Sequence, residues 1–249
     1  MHATRMKPAP IPEASANLRA RVAGALYVLC IACGFFAELV VRAKLIVPAD
    51  AAATAANILA SPGLYRLGFF ADVTAMALGV MSSVIMYTLF KAVSRTLALT
   101  VLMFDIISNT ISICGSVLLF GPLMILPGDV YLAVFPAAEL PSLALLSVKM
   151  YELTYAMNLA FFSVSCLLTG YLIFRSTFLP KTIGVLLALA GVCYLINSFV
   201  DFMPKGYGNS LFPWILMPSL VGESILALWL LLVGVNSSKW NELAAARQG

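Results

Sequence analysis

Six of the eleven acidic residues, Glu38, Asp72, Asp105, Glu152, Asp201 and Glu223, stand within or at the ends of long apolar runs. A carboxylate near the centre of a bilayer costs roughly 2.5–3.5 kcal/mol even on the permissive insertion scale. Side chains retained at that cost can hold a proton, a cation or an amine, or can serve as hydrogen-bonded acids that tie helices together. No lysine or arginine is expected at comparable depth. On the expected threading, Glu38, Asp72, Glu152 and Asp201 lie within one or two turns of the outer boundary, and Asp105 and Glu223 lie near mid-membrane. The acids form a funnel that opens outward.

Helical spacing gives these acids polar neighbours. Asp105, Asn109, Ser112 and Ser116 recur at i, i+4, i+7 and i+11, one stripe on one helix face. Tyr151, Tyr155 and Asn158 gather beside Glu152, and Tyr194, Asn197 and Asp201 share a face. The candidate pocket is therefore Glu38, Asp72, Asp105, Asn109, Glu152, Tyr155, Asn158, Asn197, Asp201 and Glu223. Simpler roles compete for several members. Glu38 and Arg42, four residues apart, read first as a snorkelling ion pair, Asp201 as a cap or a water-facing acid, and Asp72 as interfacial. For Asp105 and Glu223, structural glue and a functional cavity both stay open, with Asp105 and the Asn109 stripe as the expected companions of Glu223.

Other chemistries find little support. The only histidine, His2, lies in the tail, which leaves no histidine-based catalysis or metal site. HExxH, GxSxG, a Walker loop and a GxGD protease signature are missing, and no cofactor is implied. Cys30 and Cys33 form a CxxC among apolar residues with no second pair, and read as small packing residues. The five cysteines imply no disulfide framework. The GYG within KGYGNS (205–210) lacks the threonine and valine of a potassium filter and reads as a turn.

The elements that position these residues follow from composition. The chain is 62% hydrophobic and 10% charged, with a mean hydropathy of +0.99, whereas soluble domains are roughly 25% charged. Several apolar runs exceed the ~20 residues needed to cross a bilayer. The expected fold is an all-α integral membrane bundle of six spans, 22–41, 67–90, 96–120, 147–174, 182–202 and 213–235. Residues 1–21 are expected as a flexible cytoplasmic tail, 22–236 as one transmembrane domain and 237–249 as a cytoplasmic C-terminal tail. The run from Val22 to Val41 is too long for a cleaved signal and reads as a retained first helix.

Lysine and arginine fall ten on the side of both termini and five on the other, so both termini are expected in the cytoplasm. The basic residues are scattered, not gathered into a nucleic-acid-binding stripe. VPADAAATAANILASPG is expected as a short helix capped by Asp50 and stopped at Pro62-Gly63, lying on the outer membrane face. The proline-bearing stretch 121–146 is expected to be irregular or partly re-entrant. A faint repeat relates YTLFKAVSRTLALTVL (87–102) to YLIFRSTFLPKTIGVLLAL (171–189).

Three stretches, VAGALYVLCIACGFFAELVVRAKLIVPADAAATAANILASPGLYRLGFFADV, LIFRSTFLPKTIGVLLALAGVCYLINSF and PSLVGESILALWLLLVGVN, resemble a bacterial family of multi-pass membrane proteins. That family is known only as a domain of unknown function (four-three-eight-six). The resemblance spans about residues 20–236. It implies one membrane domain in a bacterial inner membrane and carries over no activity or ligand. The reading favoured is a protein that binds or transports a small cationic solute or a proton in an outward acidic pocket, with the lipid bilayer as its surroundings and a homodimer as its assembly. The alternatives are an accessory or sensory subunit whose carboxylates serve packing and, ranked last, an intramembrane enzyme.

Overall fold

The computed structural model describes residues 13–203 and 214–246. His2, the first twelve residues of the expected tail and the 205–210 turn lie outside them. Within the described residues every regular element is a helix and no strand occurs, and six helices are long and apolar enough to cross a membrane. The protein is a multi-pass membrane bundle.

The first span is α1 (Glu13–Phe35), continued by a π-helical turn (Phe36–Arg42) and a last turn, α2 (Ala43–Leu45). The short α3 (Ala51–Ala60) follows, then α4 (Pro62–Phe90), α5 (Arg95–Ile125), α6 (Leu140–Arg175), α7 (Lys181–Asp201), α8 (Met217–Leu232) and α9 (Ser237–Ala246). Local chemistry sets several ends. The Asp50 side chain accepts from the Ala53 amide at 2.8 Å and starts α3. Ser94 does the same for α5 through Leu97. Pro62, Pro141 and Pro218 occupy first-turn positions, where no amide donor is needed. Gly234, at φ +80°, ends α8, and its amide bonds back to the Trp229 carbonyl.

Several expected boundaries move. Helix α1 takes in residues 13–21, which were expected as tail. Pro62-Gly63 opens the next span immediately after α3 ends. The irregular stretch shrinks to 126–139, with two 3-10 turns, because α5 runs through Pro122 and α6 starts at Leu140. Residues 237–246 fold as α9, whose Trp240 is buried and donates from Nε1 to the Leu89 carbonyl at 3.0 Å. Helix α3 packs on α6, with Thr54, Ala55 and Ile58 turned inward.

Pro122 is tolerated inside α5 for a specific reason. A proline has no amide for the carbonyl four residues back, here Leu118. The Ser147 hydroxyl of α6 donates to that carbonyl. The next carbonyl, Leu119, accepts from the Tyr65 hydroxyl of α4 at 2.7 Å. In a bilayer, backbone groups freed in this way must find protein partners.

The helices close into a ring. Each span packs on its chain neighbours, α1 on α4, α4 on α5, α5 on α6, α6 on α7 and α7 on α8, and α8 packs back on α1. Glycine backs these seams where helices approach to backbone contact. A Cβ on Gly24 would meet the backbone of Leu231 and Ala227, one on Gly170 would meet the Gly184 carbonyl, and one on Gly222 would meet that of Leu186. The Gly184, Ala188 and Gly191 row lies on the α6–α7 seam, as its spacing suggests. Among the described helices, those opposite one another in the ring make no extended packing contact, and the centre is left open.

The outside of the ring is apolar, with Leu29, Val117, Leu189, Phe199 and Leu228 exposed. The end from which α1 starts and where α9 lies is sealed by Leu89, Phe90, Phe178, Ile183 and Trp240.

Candidate functional site

The open centre is a cavity of about 1190 Å³. All ten candidate residues named from the sequence line it, and they sort by depth.

At the end opposite the termini, the mouth is lined by Glu38, Glu152 and Asp201, all exposed. Lys149 Nζ reaches Glu152 Oε2 at 2.7 Å. Asn197 Nδ2 donates to Asp201 Oδ2 at 3.0 Å. Apolar side chains share this rim. Leu39, Leu146, Leu153 and Met217 line the cavity and are exposed.

Below the rim, Arg42 turns inward from the π-helical turn. Its Nε contacts Glu38 Oε2 at 2.7 Å, and its Nη1 and Nη2 donate to the two oxygens of Asp72. The Arg42 Cζ sits 5.7 Å from the centroid of the Tyr151 ring, within cation–π range. The Arg42 side chain is 14% exposed and that of Asp72 6%. The Glu38–Arg42 pair is present, but a snorkelling pair is only half of it. The same guanidinium neutralises a buried aspartate on α4, which corrects the expectation that no base reaches the depth of the acids. The wide turn helps: the Ala43 amide bonds to the Glu38 carbonyl, five residues back, and π-bulges often accompany functional positions.

Deeper still are Asp105 and Glu223, 7% and 8% exposed. At ~1.5 Å per residue, Asp105 lies about 15 Å above the start of α5, and Glu223 about 14 Å above the end of α8. The two share a level, as the threading anticipates. Their partners differ. Asp105 accepts from the Ser165 hydroxyl on α6. Glu223 accepts from Tyr27 of α1 at 2.9 Å and from Tyr194 of α7. Asn109 donates to the backbone carbonyl of Asp105, and Asn158 accepts from Ser108. Asp105 and the Asn109 stripe are thus not the hydrogen-bonding companions of Glu223. Asp105, Asn109 and Ser112 line the same cavity from α5, and Ser116 does not line it. Phe162 packs against the Tyr194 ring with centroids 5.6 Å apart. Met86, Phe90, Leu172, Leu187 and Leu226 form an apolar floor.

The charge balance is uneven. Arg42 and Lys149 between them meet Glu38, Asp72 and Glu152. Asp105, Asp201 and Glu223 have no ion-pair partner among the described residues.

Sequence reasoning missed Tyr27, Ser108 and Ser165. Tyr27 could have been found, because Tyr27, Ile31, Gly34 and Glu38 recur at i, i+4, i+7 and i+11, and all four line the cavity. Ser165 had no such signal, since its partner lies on another helix.

An uncharacterised protein of Archaeoglobus fulgidus is 32% identical over 74 residues, which cover 30% of this chain and 42% of that protein. The chain therefore spans less than half the length of that relative. No solved structure matches. The family described as a domain of unknown function, DUF4386, matches residues 22–234, and the chain belongs to it.

Proposed function

We propose that this member of the DUF4386 family binds a small cationic solute or a proton in its central cavity and moves it across a bacterial inner membrane. The observation that carries this reading is Glu223, a buried carboxylate on the wall of a large cavity, with no ion-pair partner among the described residues. Ligand pockets for small molecules typically hold about 300–1,000 Å³, so the space suits a solute as well as a proton. Intramembrane carboxylates commonly mark ion and proton routes. Sites near the bilayer midplane, reached from one side at a time, are the general plan of carriers. On the positive-inside count, the mouth faces outward and the sealed end faces the cytoplasm.

A second reading has its own observation. Tyr27 and Tyr194 clamp Glu223 between α1, α8 and α7, an arrangement that also serves an accessory or sensory subunit through packing alone. One experiment separates the two. Reconstituted in proteoliposomes, the protein should carry a cation-dependent proton flux that Glu223→Gln and Asp105→Asn each abolish while the thermal midpoint in detergent holds. A lowered midpoint with unchanged flux would leave only the packing role.

A further inference from the structure

We infer that the cavity selects amphiphilic organic cations, a charged ammonium or phosphonium centre on an aromatic or alkyl body, over inorganic cations and neutral solutes. This rests on the proposed solute-binding reading and narrows its ligand class.

Three features point the same way. The first is the wall around the deepest charge. Glu223 accepts from the Tyr27 and Tyr194 hydroxyls, Phe162 packs on Tyr194, and all three rings line the cavity beside it. Aromatic rings and a carboxylate on one cavity wall suit a soft, weakly hydrated cation, through ion pairing and cation–π attraction together. The second is the donor set. Hard cations such as calcium take six to eight oxygens at short range. Asp105 and Glu223 stand on non-adjacent helices with separate hydrogen-bond partners, and no cluster of three metal-ligating side chains occurs among the described residues. The third is the route. Exposed Leu39, Leu153 and Met217 border the mouth beside the acids, and the floor is apolar. An amphiphile can enter body and charge together, whereas an ion with a tight water shell gains nothing from such walls.

The remaining acids sharpen the choice. Arg42 pairs with both Glu38 and Asp72, and Lys149 pairs with Glu152, so two bases offset two of these three acids. The acids without an ion-pair partner among the described residues are Asp105 and Glu223 at the aromatic level and Asp201 on the rim, an arrangement that attracts a cation from outside and draws it inward.

The probe is tetraphenylphosphonium, with tetraphenylborate as a control of the same shape and opposite charge. The purified full chain in detergent should bind tetraphenylphosphonium saturably, should be stabilised by it against heat, and should not respond to tetraphenylborate. Glu223→Gln should weaken the affinity at least tenfold. Should that variant fail to fold, the wild-type protein answers alone: carbodiimide modification of Glu223, read by peptide mass, should be slowed by tetraphenylphosphonium and not by sodium or tetraphenylborate. Equal binding of both tetraphenyl ions, or protection by sodium alone, overturns the inference. Glu223-dependent proton flux without tetraphenylphosphonium binding overturns the ligand class and leaves the broader proposal standing. Loss of both flux and binding removes the two together.

Discussion

The Tyr27 hydroxyl donates to Glu223 across 196 residues of sequence, at 2.9 Å. The first span and the last are thereby joined at the level of the cavity's deepest charge, and a single carboxylate has two jobs: it faces the open centre and it fastens the ring.

The two jobs can be separated by substitution. Tyr27→Phe keeps the ring and removes the donor, and should cost about 1–2 kcal/mol, the usual worth of such a bond. Glu223→Gln keeps an acceptor for both tyrosines and should cost less. Denaturation midpoints of the two variants and of the double variant in detergent would check this. Equal cost of Tyr27→Phe in the wild type and in a Glu223→Ala background, where the acceptor is gone, would contradict a direct Tyr27–Glu223 bond.

Arg42 and Asp72 make a second coupled pair. Arg42→Ala strands a buried aspartate, and breaking such a pair from one side typically costs about 3 kcal/mol or more. Adding Asp72→Asn removes the stranded charge and should recover most of that loss. A double variant no more stable than Arg42→Ala would mean that the arginine acts through Tyr151 or Glu38 instead.

The proline inside α5 gives a test that involves no charge. Ser147→Ala should leave the Leu118 carbonyl without a partner and cost about 1–3 kcal/mol. In a Pro122→Ala background the backbone amide returns, and the same serine change should cost much less. Equal cost in both backgrounds would sink this account of the tolerated proline.

The α1–α8 seam predicts a contrast between two glycines on one helix. Gly24→Val drives a side chain into the α8 backbone and should lower stability by about 2 kcal/mol or more, read as a shifted midpoint and increased protease cleavage. Gly34 has nothing within 4 Å of the position a Cβ would take, and Gly34→Val should leave the midpoint unchanged.

The contrast between Gly24 and Gly34 also shows where sequence reading stops. Hydropathy locates both in one span, because membrane crossing is a property of a local window. Which glycine meets a neighbour depends on which helix lies beside it, and that is decided far along the chain. The polar faces were legible for the same local reason: Asp105, Asn109 and Ser112 repeat with the helix, and all three line the cavity. The inward turn of Arg42 was not. It depends on a π-helical turn that shifts the helical phase by about one residue, and no residue type in FAELVVR announces such a turn. The serine partner of Asp105 stayed hidden because a lone hydroxyl on an apolar helix has no pattern of its own.

The joint between α1 and α8 also sets an order of assembly. Helix α1 cannot acquire its full set of neighbours until α8 arrives, so the five spans made before α8 must wait in the bilayer with one wall missing. The same arrival completes the Gly24 contact, clamps Glu223 and encloses the cavity. A chain cut short before α8 therefore lacks both its cavity and its closing contact, and any ligand of the finished cavity acts as a reporter of successful biogenesis, since it binds only molecules whose final helix has docked.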